Sequence, residues 1–225
     1  MLSLLFALLF AAPVQASQYT LYAPTVTVYA EDTTGMHEVS FYAKKAKAFF
    51  DSLQVPTDFQ SAIYLASSPS DFNGAAGRHL RNNIEGLSIK QPYGSTQVTL
   101  VKYRDDLSEV VTHELVHQII YNNERSEQAL TTRRLQEGIA VIMTYLVLGE
   151  SYTVTIDEVT TDDLVAYLSD PTPSQDAYNF TEQDYEVSAA AVATLTHNDP
   201  HKLAAIINGL HDGTNLEDIL CAAAE

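Results

Sequence analysis

His113-Glu114-Leu115-Val116-His117 sets two imidazoles four residues apart, with a carboxylate beside the first. On a helix, four residues advance the azimuth by about 40°, so both rings project from one side, a turn apart. Neutral imidazole nitrogens at that spacing converge on one zinc ion at about 2.0–2.1 Å without distorting the backbone. Glu114 reaches a water activated by such a metal without ligating it, which makes it a general base. Leu107, Val111, Leu115, Val116, Ile119 and Ile120 supply the apolar surface that would bury this helix, and the polar trio intrudes on it.

A catalytic zinc site needs a third protein ligand and one open position. The metzincin pattern has Gly three residues and His six residues after the second His, but here Ile120 and Asn123 stand in those places. The gluzincin pattern takes a Glu from the following helix. Leu135-Gln136-Glu137-Gly138-Ile139-Ala140 offers Glu137, with nineteen residues intervening after His117. A helix returning antiparallel to the first would present that carboxylate to the open side of the metal. Gly138 and Ala140 are expected to let those two helices approach closely.

The elements that must position these groups read as α+β. Tyr19 to Tyr29 is rich in Tyr, Thr and Val and predicts one or two strands interrupted at Pro24. Val39, Tyr42, Ala43, Ala46, Phe49, Phe50 and Leu53 recur at helical intervals up to Pro56. Further strands are predicted at Ser61 to Ala66, Ile84 to Ile89 and Gln97 to Val101, with Gly74, Gly77, Gly86, Pro92 and Gly94 marking turns. From Asp105 the chain turns helical: Asp105 to Asn122, Glu127 to Leu148, Thr161 to Ser169, Thr181 to Thr196, Pro200 to Gly209 and Asn215 to Ala224.

A Tyr/Val-rich opening strand, a helix, more strands, then HELVH and LQEGIA with helices after them resembles the peptidase MA-like gluzincin domain of exported proteins. The likeness spans most of residues 17–225, although only the two metal motifs are specific. It implies a zincin-like catalytic domain with an N-terminal α/β lobe over about 17–124 and a helical lobe over about 125–225. It implies one Zn²⁺ held by His113, His117 and Glu137, with Glu114 as general base in peptide-bond hydrolysis. Tyr185, which opens the run YEVSAAAVATL, stands at a position resembling the Tyr that opens the corresponding helix in the family and is the candidate oxyanion donor, with Tyr178 and His197 as rivals. One departure is Val141, where the thermolysin-like branch has an Asp that orients a metal histidine, so that contact is left unassigned. An extended peptide or protein substrate is expected to pair with Gln97 to Val101 as an exposed strand edge. The alternative reading is an exported, non-catalytic binding or assembly module that keeps the fold. Endopeptidase or aminopeptidase action and the oligomeric state stay open.

Composition fits this picture. With 225 residues, 46% apolar and 18% charged, the chain can bury one sizeable core. Residues 1–16, MLSLLFALLFAAPVQA, carry an apolar run from Leu4 to Ala12 and a small-residue Val14-Gln15-Ala16 ending, which predicts a cleaved signal peptide and a secreted or periplasmic product. No Lys or Arg precedes the run. It is too short to span a bilayer, and no later segment approaches the necessary length, so no stable membrane insertion is expected. A single cysteine, Cys221, excludes an internal disulfide and a Cys-based zinc site, and is expected to be a buried core residue. The net charge of −17, with twelve acidic residues and no Lys or Arg between Arg134 and Lys202, argues against a nucleic-acid partner and describes a solvated acidic face.

Overall fold

A computed structural model describes residues 17–20, 26–30, 35–66, 68, 70, 72, 85–91, 95–102, 107–124, 131–170 and 180–225. The predicted signal segment, 1–16, lies outside them. The strands are β1 (Ser17–Thr20), β2 (Val26–Ala30), β3 (Ser61–Ala66), β4 (Gly86–Ile89) and β5 (Gln97–Lys102). The helices are α1 (Met36–Ser52), α2 (Ser108–Asn123), α3 (Arg133–Leu148), α4 (Thr161–Ser169), α5 (Glu182–Thr196), α6 (Pro200–Asp212) and α7 (Leu216–Ala224). The class is α+β, with a mixed sheet followed by helices.

The sheet order is β1-β2-β3-β5-β4, with β2, β3 and β5 parallel and the two outer strands antiparallel to their neighbours. Period-two alternation divides the side chains between two faces. Val26, Val28, Ala30, Ile63, Leu65 and Val101 enter the main core, where α1 lies on β2, and α2 on β4 and β5. Leu100 points the other way and packs with Phe72 beside Tyr64, Leu87 and Ile89. Tyr29 and Tyr64, register neighbours on that face, stack with centroids 4.6 Å apart.

This order corrects the expected substrate strand. Residues 97–101 are not an edge, because β5 is hydrogen-bonded to β3 on one side and β4 on the other. The chain leaves β3, lays β4 on the outside and then turns back to insert β5 between them. Hydrophobic alternation is the same for either order, so it does not distinguish them. The outer strand is β4.

Helix α2 is central: α1, α3, α6 and the strands β4 and β5 all pack on it, and only Ser108, Glu109, His113 and Tyr121 are not buried. Buried positions therefore run all round it rather than along one stripe, as expected of a central helix. No side chain of its own caps its start; instead Glu38 Oε1 of α1 accepts from Leu107 N at 3.0 Å. The start is later than the expected Asp105, as that of α3 is later than Glu127; residues 105–106 and 127–130 are outside the described set. Thr132 caps α3 by accepting from Leu135 N, and Gly149 ends it in the left-handed conformation. Capping boxes start α4 (Thr160 with Asp163) and α5 (Thr181 with Asp184), and Asp199 followed by Pro200 starts α6.

Two further expectations are corrected. A Cβ on Gly138 would lie 2.5 Å from Ser188 O and 2.6 Å from Val192 Cγ2, so this glycine brings α3 against α5, not against α2. The reason is angular: neighbouring residues on a helix point about 100° apart, so if Glu137 faces α2, Gly138 faces elsewhere. Cys221 is exposed, because α7 turns Leu216, Ile219, Leu220 and Ala223 inward and leaves position 221 on its outer side. No helix among the described residues is long and apolar enough to cross a membrane.

Candidate metal centre

Burying α2 fixes its rotation, and a polar relay from the sheet fixes it further. Ser61 Oγ of β3 donates to Gln118 Oε1, whose amide nitrogen donates to Thr99 Oγ1 of β5 at 2.7 Å. Thr99 Oγ1 shares a 2.7 Å hydrogen bond with Ser88 Oγ of β4, and Ser88 Oγ donates to the Glu114 carbonyl at 2.7 Å. Three strands thus hold α2 with His113 and His117 turned towards α3.

There the two rings meet Glu137. The Nε2 atoms of His113 and His117 are 3.1 Å apart, and each is 3.1 Å from Glu137 Oε2. A tetrahedral zinc with bonds of about 2.0–2.1 Å separates its ligand atoms by about 3.3 Å, so the donor set has the right chemistry and nearly the right spacing. Three atoms bearing lone pairs repel one another at this range unless a cation lies among them. Burial opposes charge on His113, but the Glu137 carboxylate outweighs it and raises the imidazole pKa. Burial likewise opposes charge on Glu137, yet His117, His113 and Arg133 hold its pKa well below the usual carboxylate range. Side-chain exposure falls from 19% at His113 to 6% at His117 and 1% at Glu137, so the cluster opens to solvent on the His113 side.

Glu114 is buried within electrostatic reach of His113 and Tyr185, with Oε2 free of any hydrogen-bond partner among the described residues. Room for it is made by Gly86, the first residue of β4: a Cβ there would come within 2.5 Å of Glu114 Cγ. Tyr185, in the first turn of α5, places its ring centroid 6.4 Å from that of His113. Burial and the Glu137 charge push its phenol up to about 12, so it stays protonated and able to donate. Of its two rivals, Tyr178 is outside the described residues, and His197 is exposed at the far end of α5, about 18 Å along the axis from Tyr185. The site therefore brings together His113, Glu114, His117, Glu137 and Tyr185, and leaves His197 out.

Compared with family models, with curated proteins and with solved structures, the chain matches none. The geometry has to speak for itself.

It includes groups that spacing alone did not single out. Arg133 Nη2 lies 2.5 Å from Glu137 Oε1 and 3.4 Å from Tyr185 Oη, and its guanidinium sits 5.6 Å from the Phe180 ring centroid. A signal for it does exist in the sequence: Arg133 and Arg134 open a helix whose first turn has no acidic residue, against the positive end of the helix dipole. Such a cation needs a carboxylate nearby, and Glu137 is one turn on. Gly86 carries a signal too, since a glycine within a strand pattern marks close approach as readily as a turn. Val141, at the position of the family's histidine-orienting Asp, is only partly buried, and His117 Nδ1 has no hydrogen-bond partner among the described residues. The Tyr121 ring stacks on the His117 ring instead, with centroids 6.0 Å apart and planes at 20°.

Proposed function

We propose that this chain is an exported zinc metallopeptidase of the gluzincin type, with a zincin-like fold, in which His113, His117 and Glu137 hold the metal and Glu114 is the general base. The observation that carries this reading is the triangle of Nε2, Nε2 and Oε2 atoms, each 3.1 Å from the others, open on one side next to an unpartnered carboxylate oxygen. Export rests on the 1–16 segment and its apolar run.

Zinc bound there supplies a Lewis acid that polarises a peptide carbonyl and lowers the pKa of a water towards about 7. Glu114, wedged under Gly86, takes the proton from the attacking water at Oε2 and returns it to the nitrogen of the leaving amine. Tyr185 donates its phenolic hydrogen to the oxygen of the scissile carbonyl as negative charge gathers there. An extended peptide has a strand to pair with in β4, which both borders the sheet and carries Gly86 against the base.

Zinc stoichiometry and chelator-sensitive cleavage of casein test the reading together. Wild type should hold one zinc per chain, Glu137→Ala should lose it, and Glu114→Gln should keep it while losing cleavage. Cleavage by Glu114→Gln at the wild-type rate would remove the mechanism. Bound zinc with no cleavage in wild type would favour a non-catalytic module of the same fold.

A further inference from the structure

Each oxygen of the Glu137 carboxylate has a different task. Oε2 faces both histidine nitrogens at 3.1 Å, whereas Oε1 is taken by Arg133 Nη2 at 2.5 Å. Arg133 lies one turn before Glu137 on α3, and the Thr132 cap fixes the start of that helix. The carboxylate is 1% exposed, so no bulk water competes for Oε1.

We infer that Arg133 is a positioning residue that holds Glu137 to single-oxygen ligation and so keeps a coordination place free for water. A carboxylate ligand can bind a metal through one oxygen or two. When both bind, the second occupies a place that a hydrolytic centre needs open. A guanidinium suits this duty because one terminal nitrogen carries two hydrogens in the plane of a rigid group, and here Nη2 alone meets both a carboxylate oxygen and a second acceptor. Here the second acceptor is Tyr185 Oη at 3.4 Å, so one side chain aligns both the metal ligand and the phenol assigned to the carbonyl oxygen. Phe180 adds a further restraint, with its ring near the guanidinium and its edge against Tyr185 at 5.0 Å between centroids.

This inference rests on the metallopeptidase reading above, and the test separates the two. Cobalt(II) is loaded into the full chain in place of zinc, its visible absorption is recorded, and affinity is measured by competition with a chelator. Four-coordinate cobalt absorbs more strongly than five- or six-coordinate cobalt, so the spectrum reports whether Glu137 binds through one oxygen or two. Arg133→Met should weaken metal affinity by about 10- to 100-fold, as loss of a group that orients a ligand commonly does, and should weaken the absorption. Arg133→Lys keeps the charge but not the rigid plane that aims one nitrogen at both acceptors, and should fall between. Wild-type affinity and spectrum in Arg133→Met would overturn the inference and leave the metallopeptidase reading intact. If Arg133→Met does not fold, the same comparison on Arg133→Lys decides: a wild-type spectrum and affinity overturn the inference, and a weakened one supports it. A wild-type chain that binds neither cobalt nor zinc would overturn both.

Discussion

Gly86→Ala is the sharpest probe of the base. The added methyl would stand 2.5 Å from Glu114 Cγ, 2.7 Å from Cδ and 2.6 Å from Oε1, whereas ordinary contact begins at 3.4 Å. Glu114 must therefore retreat by about 0.9 Å, and the conflict involves Cγ and Cδ as well as the mobile tip, so a small rotation does not relieve it. A misplacement of about 1 Å in a reacting group costs on the order of 100-fold in rate, equivalent to about 2.7 kcal/mol of transition-state stabilisation. The metal ligands are untouched, so zinc should be retained, and the overpacking cost of about 1–3 kcal/mol is partly offset by the about 0.5–1 kcal/mol by which Ala is intrinsically better than Gly in a strand, so the protein should stay folded. The assay is initial-rate cleavage of casein by zinc-loaded protein, with stoichiometry by metal analysis and melting by circular dichroism. A drop of about 100-fold in kcat with one zinc retained and a melting temperature within a few degrees of wild type is expected. Full activity in a zinc-loaded Gly86→Ala protein would show that Glu114 does not act from this position.

Three other outcomes follow from the structure. Tyr185→Phe should keep zinc and lower kcat by about 100-fold with little change in KM, as expected for a lost oxyanion donor; an unchanged kcat would reduce the residue to packing. Gly138→Ala sets a methyl against backbone atoms of α5 that cannot swing aside, so it should destabilise by about 2 kcal/mol and lower the melting temperature by about 4–8 °C, and a melt like wild type would contradict the close packing. Lys47 donates to Thr57 O at 2.9 Å and Phe59 O at 3.1 Å, and burial lowers its pKa to about 8 from 10.5. Between those two values the unfolded chain holds a proton that the folded protein has released, so stability should rise with pH over that window, by up to about 3 kcal/mol. Urea unfolding at pH 8 and pH 10 should show that rise in wild type and not in Lys47→Met, and equal slopes in both would exclude Lys47 as its source.

The parts of this architecture that depend on local spacing were legible from residues alone. Two imidazoles at i and i+4 must share a helix face, and the helices expected from Thr161, Thr181 and Pro200 begin within a residue of those positions, behind the caps Thr160, Thr181 and Asp199. The Glu137 carboxylate also arrived beside both rings. What local spacing does not encode is the order in which distant segments pair. β5 reads identically whether it borders the sheet or lies within it, and Gly138 reads as a small residue whichever helix it admits. Arg133 was overlooked for a different reason: its value comes from two acceptors, one a turn along its own helix and one on α5, and only folding brings the second within 3.4 Å. Cys221 shows the opposite limit, since the usual preference of free thiols for the interior lost to the rotation of α7, which is set by Leu216, Ile219 and Leu220.

The central position of α2 bears on how this protein wears out. Many hydrolases mount their reactive groups on peripheral loops that loosen well before the body melts, so dead but folded molecules accumulate on warming. In this chain the histidines sit on the innermost rod, walled by a sheet on one flank and helices on the others. Its amides can meet deuterium only when those layers part, so residues 110–120 should exchange among the slowest of all and at the rate of complete opening. Inactivation and melting should then share one midpoint, and early deuterium uptake across 110–120 in an intact fold would show that the rod works loose on its own.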